Sequence, residues 1–329
     1  MLLAGDIGAT KTLLGLFRRG TRRPEPVASR TFTTLAHDSL EDILREFLDG
    51  QAEVEAIEAA SFGVAGPIIE QVAQLTNVPW RVDAAAVARA FDLGHVTLLN
   101  DLQAMAYSVP VLEPREVVIM QEGVRVASGN AGLIAAGTGL GEALLHQVAG
   151  RFVPSPTEGG HADFAPRNER EIGLLEWLVA RYGRADYGRV LSGPGLVNVH
   201  AYLHPEGCPA CGPALDAVTG PAMVSQAALE GRCERCVETL DLFVSVYGAE
   251  AGNLALRSVA TAGVFVGGGI APKILPAMQS GAFMQAFCDK APMADFVTRV
   301  PVSIILNDRA GLLGAAVHAG STGGTTRGQ

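Results

Sequence analysis

The chain has 329 residues, 25 Lys+Arg against 34 Asp+Glu, a formal net charge of −9 and 18% charged side chains. That balance argues against nucleic acid as a main partner, because a face basic enough to hold phosphates tips the sum the other way. A hydrophobic fraction of 48% with 39 glycines is the composition of a folded enzyme core, too apolar for disorder, and no apolar run reaches the roughly 18 residues of a membrane span.

The length suggests about two domains. Five cysteines behind a start, Met1-Leu2-Leu3-Ala4-Gly5-Asp6, that lacks a basic leader region predict a reducing, cytoplasmic setting. From Leu2 to Phe17 an apolar segment, a polar glycine turn (Asp6-Ile7-Gly8-Ala9-Thr10-Lys11) and a second apolar segment predict two strands joined as a hairpin. Leu40, Ile43, Leu44, Phe47 and Leu48 follow the helical period between a capping Ser39 and a stopping Gly50, which predicts a helix. Ala59 to Gly66 reads as a strand, Asp83 as the cap of a short helix carrying Val87, Ala90 and Phe91, and Val96 to Leu99 as a strand ending at Asn100-Asp101.

The hairpin pattern recurs from Leu133 to Leu145 around Ala136-Gly137-Thr138-Gly139-Leu140-Gly141. This weak internal repeat supplies each half of the chain with one glycine loop. An amphipathic helix is expected over 168–182 with Ile172, Leu175, Leu178 and Val179 on one side. Helix is expected nearly throughout 219–259, then a strand at Val264-Phe265-Val266 that breaks at Gly267-Gly268-Gly269. Alternating strands and helices are an α/β signature, and the Gly/Thr/Ser tail 321–329 is expected to be disordered.

The turn at Asp6 exposes backbone N–H groups that can wrap a phosphate, with Thr10 as a further donor. A carboxylate there makes sense if Mg²⁺ lies between it and the phosphate; the bland alternative is a hairpin turn with a capping Asp. Gly5 to Thr12 misses the Walker A spacing, since Thr10 stands where the second glycine belongs and Leu13 to Phe17 looks like a strand where a P-loop needs a helix. Asn100-Asp101 lies at a strand end, where α/β sheets place their ligands. A carboxylate there can orient an alcohol and accept its proton in phosphoryl transfer, or Asp101 can simply cap a helix beginning at Leu102. Glu158-Gly159-Gly160-His161 sets an acceptor and a switchable donor on a loop whose glycines allow close approach of a polyhydroxylated ring. Cys208-Pro209-Ala210-Cys211 and Cys233-Glu234-Arg235-Cys236 have the pairing and spacing of a tetrahedral, structural zinc site, with small buried core residues as the alternative.

Gly5 to Thr10, Leu99-Asn100-Asp101, Ala136 to Gly141, Glu158 to Pro166, Leu191 to Leu196 and Gly267 to Pro272 occur in the order and spacing of the bacterial glucokinase family, which the sequence resembles over nearly its whole length. The resemblance implies an α/β, actin-like ATPase (ribonuclease H-like) fold with two related domains around an ATP cleft. Residues 1–110 with a returning segment 302–320 would form the small domain and 111–301 the large one. It implies a cytoplasmic enzyme that transfers phosphate from Mg·ATP to D-glucose. Asp101 would be the base, Asn100, Asp101, Glu158 and His161 the sugar contacts, and Gly5, Asp6, Ile7, Gly8, Ala9, Thr10, Gly137, Thr138 and Gly139 the ATP contacts. Thr76-Asn77 with Trp80 matches the family's segment on the sugar side. Neither nucleic acid nor membrane is expected as a partner, and a homodimer is compatible with this reading.

Three departures bear on it, one of them Lys11, which stands where close relatives often have Asn and can either touch phosphate or lie in solvent. Ala9 replaces the second glycine of the family's phosphate loop, which requires a negative φ there. Gly188 stands where the family has a sugar-binding Glu before Arg-Val-Leu-Ser-Gly, which removes one expected acceptor and weakens glucose binding unless a water, Asp186 or His200 fills the gap. A kinase for another hexose is therefore the first competing reading, and a sugar-sensing regulator of the same fold the second.

Overall fold

The computed structural model describes residues 1–51, 57–75 and 78–322. Thr76-Asn77 and the tail beyond Thr322 lie outside the described residues. The chain divides into two compact units, one of Met1–Glu113, Phe152–Pro156 and Asn307–Gln329, the other of Pro114–Arg151 and Thr157–Leu306.

In the first unit β1 (Leu2–Ile7), β2 (Lys11–Arg18), β3 (Glu25–Thr33), β4 (Ala59–Val64) and β8 (Val96–Asn100) form a five-stranded sheet in the order β3-β2-β1-β4-β8. The pair β1/β2 is antiparallel, whereas β1/β4 and β4/β8 are parallel. Parallel central strands are covered on both faces and read as continuous apolar runs; β4 is buried at every position. Helix α1 (Leu40–Leu48) buries Leu40, Ile43, Leu44, Phe47 and Leu48 against one core, and Ser39 caps it by accepting from the Asp42 N–H at 3.2 Å. A small sheet of β5 (Ile68–Ile69), β6 (Val72–Gln74) and β7 (Arg81–Asp83) leads into α2 (Ala84–Ala90), capped by Asp83. Trp80 is buried in this core.

Helices α3 (Asp101–Ser108) and α11 (Ala310–Thr322) share another core with β1, β2 and β4 through Ala104, Leu312, Ala315, Ala316 and Ala319. The small residues let the backbones close up: a Cβ at Gly314 would run into the Ala104 carbonyl. Residues 320–322, expected to begin or border a disordered tail, instead complete α11.

The second unit contains β9 (Val117–Gln121), β10 (Ala131–Ala136), β11 (Leu140–Val148), β13 (Gly263–Gly267) and β14 (Val302–Ile305), ordered β11-β10-β13-β14-β9. Strand β12 (Arg151–Thr157) belongs largely to the first unit. The pair β10/β11 is antiparallel and β10/β13 and β13/β14 are parallel. Thus β11-β10-β13-β14 repeats the sense and order of β2-β1-β4-β8, and the weak sequence repeat is a repeat of topology.

The remaining helices are α4 (Glu169–Tyr182), α5 (Gly193–Leu203), α6 (Gly220–Leu229), α7 (Glu234–Ser258), α8 (Leu275–Met278), α9 (Ala282–Cys288) and α10 (Ala294–Val297). Helix α4 buries Glu171, Leu174 and Leu178, while Ile172 and Val179 are exposed. The expected apolar face was off because Glu171, ion-paired with Arg167, takes an inward position that its charge would deny it alone. Helix does not run through 219–259 either. It breaks at 230–233, where Gly231 has φ +64°, and this places Cys233 at the start of α7. No helix among the described residues is long and apolar enough to cross a membrane.

Candidate active site

The first glycine hairpin lies between β1 and β2. Gly8 N–H donates to the Lys11 carbonyl at 3.0 Å, and the Thr34 hydroxyl donates to the Gly8 carbonyl at 2.8 Å, so the turn is held from both sides. Ala9 is absent from the residues with positive φ, which meets the condition that its side chain imposes. Asp6 is the penultimate residue of β1, just before this turn. Burial first, and the charge of Asp101 second, push its carboxyl up to about 6. Behind it stands the first turn of α11, where a Cβ at Gly311 would come within 2.7 Å of Asp6 Oδ2. Glycine is required there by close approach, and the positive end of the helix dipole favours a carboxylate.

Asn100 and Asp101 occupy the junction of β8 and α3. The cap is Asn100: its Oδ1 accepts from Leu102 N–H at 3.0 Å and Gln103 N–H at 3.4 Å, while the amide donors of Nδ2 take no part in it. Asp101 is the first helical residue and its Oδ1 accepts from Leu102 N–H at 2.8 Å. The capping role open to Asp101 is therefore carried mainly by its neighbour. Gly63 on β4 permits the approach, since a Cβ there would lie 2.8 Å from Ala104 Cβ and 3.7 Å from Asp101 Cα.

In the second unit the loop Gly137-Thr138-Gly139 joins β10 to β11. The Gly137 carbonyl accepts from Gly193 N–H, the first residue of α5, at 2.8 Å. Nothing stands within 4 Å of a Cβ at Gly137 or Gly139, so this backbone is open to a ligand rather than wedged against protein. Beneath it the buried Tyr247 hydroxyl accepts from Ala136 N–H at 3.1 Å.

Glu158 precedes and His161 ends a single 3₁₀ turn, Gly159–His161, and both residues are exposed. The turn is pressed onto β11: a Cβ at Gly160 would overlap the Leu140 carbonyl, and Thr157 Oγ1 donates to the Glu142 carbonyl at 3.1 Å while accepting from Gly159 N–H at 3.1 Å. Under Gly159 lies a buried charge network. Glu142, 2% exposed, and Glu250, fully buried, both pair with Arg257. Burial, then the neighbouring Glu250 carboxylate, hold Glu142 well above the usual carboxylate range. Asn253 Nδ2 extends the network from Glu250 Oε2 at 2.9 Å to the Tyr187 hydroxyl at 3.2 Å.

Tyr187 begins the 3₁₀ turn that contains Gly188, and Asp186 caps it, accepting from Arg189 N–H at 2.9 Å. Asp186 Oδ2 also lies 3.5 Å from His161 Nδ1. Of the two candidates named for an acceptor in place of Gly188, Asp186 is thus the one beside His161. His200 is buried instead among cysteines. Trp80 is a core residue, and Thr76-Asn77 lie outside the described residues. Gly311, Glu142, Glu250 and Arg257 were not singled out from sequence; their only signal is proximity across more than a hundred residues.

A glucokinase family profile matches residues 3–322. The glucokinase of Nostoc punctiforme is 36% identical over 337 aligned residues, spanning 97% of this chain and 98% of its own. Among solved structures, a glucokinase from an Antarctic psychrotroph superposes with a TM-score of 0.85 at 29% identity, over 97% of this chain and 98% of that one. A ROK family glucokinase from Streptomyces griseus, in complex with glucose and AMPPNP, superposes with a TM-score of 0.67 at 21% identity over 97% and 99%; at that identity the likeness concerns fold alone.

Proposed function

The chain belongs to the glucokinase family, with its actin-like ATPase fold, and from that premise we propose that it transfers the γ-phosphoryl group of ATP to the 6-hydroxyl of D-glucose with Asp101 as general base. Asp101 accepts the hydroxyl proton as O6 bonds to the γ-phosphorus and the bond to the bridging oxygen breaks, releasing ADP. The observation that supports this assignment is the division of labour at the β8–α3 junction: Asn100 caps the helix, and Asp101, the first residue of α3, stands immediately beyond the end of β8. Its Oδ1 is oriented by Leu102 N–H, so the carboxylate does not have to be ordered when the sugar arrives.

The remaining roles follow from exposure and donor type. Asn100 donates from Nδ2 to a sugar hydroxyl, and Glu158 and His161 contact further hydroxyls from the exposed 3₁₀ turn. The backbone of residues 5–10 and 137–139 holds the ATP phosphates. Asp6 and Asp101 repel one another, and a divalent cation beside them would relieve that repulsion, so Asp6 is the residue that would hold Mg²⁺. When bound, that ion neutralises phosphate charge. The resemblance implies a small domain of 1–110 and 302–320 and a large one of 111–301 as the working division of the enzyme, which differs from the compact units chiefly in the place of Phe152–Pro156 and of residues 302–306.

One observation favours a second reading, a kinase for a hexose other than glucose: the family's sugar-binding Glu is replaced by Gly188. A coupled assay of ADP release across a panel of hexoses, with and without Mg²⁺, tests both. Glucose and Mg²⁺ dependence supports the first reading; preference for another hexose overturns the substrate and keeps the reaction; no sugar-dependent release overturns both.

A further inference from the structure

The two C-x-x-C pairs fold into one knot. Cys208 to Gly212 form a closed turn in which the Cys208 carbonyl accepts from Cys211 N–H at 3.2 Å and Gly212 N–H at 2.8 Å, while Cys208 N–H donates to the Gly212 carbonyl at 3.1 Å. Gly212 has φ +78°, a conformation that favours glycine. The turn is tied to the second pair by Arg235, whose Nη1 donates to the Gly207 carbonyl at 2.6 Å. The break before α7 sets Cys233 at its N-cap and Cys236 in its first turn.

The sulfurs of Cys208 and Cys211 lie 3.6 and 3.5 Å from that of Cys236. A disulfide needs about 2.05 Å. A tetrahedral zinc with Zn–S near 2.3 Å puts its sulfurs about 3.8 Å apart, close to what is found. Sequence offers Cys233 as the fourth donor, and the structure offers His200 beside it. One atom each from His200, Cys208, Cys211 and Cys236, all buried, lie within 4.8 Å of one another, and the Cys233 thiol stands at the edge of this group, against Cys208 and Cys236. His200, on the last turns of α5 and 2% exposed, has its Nε2 buried without a hydrogen-bond partner. Leaving a buried polar nitrogen unpaired costs about 1–3 kcal/mol, a cost with no counterpart if the cysteines were only small apolar filler.

We propose that His200, Cys208, Cys211 and Cys236 bind one structural zinc ion. The ion would staple the end of α5, the 208–212 turn and the start of α7. Helix α5 begins at Gly193, which donates to the Gly137 carbonyl of the second glycine loop, so the staple also steadies the far end of a helix that supports that loop. None of the four ligands belongs to the substrate loop, and the ion takes no part in the chemical step.

The test uses the full chain. Elemental analysis after purification is expected to find about one zinc per chain. Cys211→Ser and His200→Gln are expected to lower the bound zinc at least tenfold, and Cys233→Ser to keep it. Because a ligand variant can fail to fold, the unsubstituted chain is also loaded with Co²⁺ alone, and its spectrum should show tetrahedral coordination with charge-transfer intensity for three thiolates rather than four. A chelator should lower the melting temperature well before it lowers glucose phosphorylation at 25 °C. Purified chain without metal, taking up neither Zn²⁺ nor Co²⁺, overturns the site. Loss of zinc in Cys233→Ser with retention in His200→Gln, or a four-thiolate cobalt spectrum, overturns the ligand set.

Discussion

If Asp186 supplies the acceptor that Gly188 cannot, the two positions should be strongly coupled. A Cβ built at Gly188 would stand 3.4 Å from Asp186 Oδ1 and 3.4 Å from the Gly160 carbonyl, with no positive φ to oppose a side chain. Gly188→Glu is therefore sterically allowed, but its carboxylate would lie roughly 6 Å from that of Asp186. A hydrogen bond from a sugar hydroxyl to a charged acceptor contributes about 1.5–3 kcal/mol. Repulsion between two carboxylates at about 6 Å costs about 3 kcal/mol at an effective dielectric of 20 and about 0.7 kcal/mol in bulk water. The two effects nearly cancel, so Gly188→Glu alone should leave the KM for glucose within about threefold of the parent chain. Asp186→Ser keeps an oxygen to cap the 3₁₀ turn but loses the carboxylate, and should raise the KM about 10- to 100-fold. Combining the two should bring it back near the parent value, with the KM for ATP unmoved throughout. The assay is a double-mutant cycle in coupled ADP-release kinetics. Additive effects of the two substitutions would refute the assignment of Asp186.

Asp101→Ala should lower kcat by about 10²–10⁴-fold while ATP binding, measured calorimetrically, stays intact, because the residue moves a proton and holds no phosphate; retained turnover would sink the role. Gly160→Ala drives a methyl into the Leu140 carbonyl and should cost about 1–3 kcal/mol in urea unfolding, raising the KM for glucose more than that for ATP; a variant of unchanged stability and KM would show that the loop is not seated as described. His318, bonded through Nδ1 to Ser61 Oγ at 2.8 Å, is pushed down to about 4 by burial and then by His95. Its folded pKa lies below the unfolded 6.5, so its contribution to stability is full above pH 6.5 and is lost as pH falls from 6.5 to 4, by about 3 kcal/mol in all. His318→Gln should flatten that stretch of the stability profile, and an unchanged slope would place the proton uptake elsewhere.

Strands, caps and turns were legible because each is decided by a few neighbours along the chain. Ser39 and Asp83 cap the helices that their positions announce, and both glycine hairpins form where polar turns interrupt apolar runs. The likeness of the two halves was also visible, though only as a pattern of residue types. What the chain could not reveal from its order is which distant groups share a space. Glu171 faces inward because Arg167 meets it, and Asp6 holds its proton longer because it is buried and Asp101 lies near it. A donor beside three of the cysteines is His200, on α5, eight residues before the first C-x-x-C pair and outside its spacing. Local propensity and periodicity act through the backbone over a few residues, whereas desolvation, charge pairing and ligation act through space. The sequence by itself determined the elements, their order and the motifs that carry the chemistry; the tertiary structure decided the partners of each polar side chain, because those energies depend on distances that only folding sets.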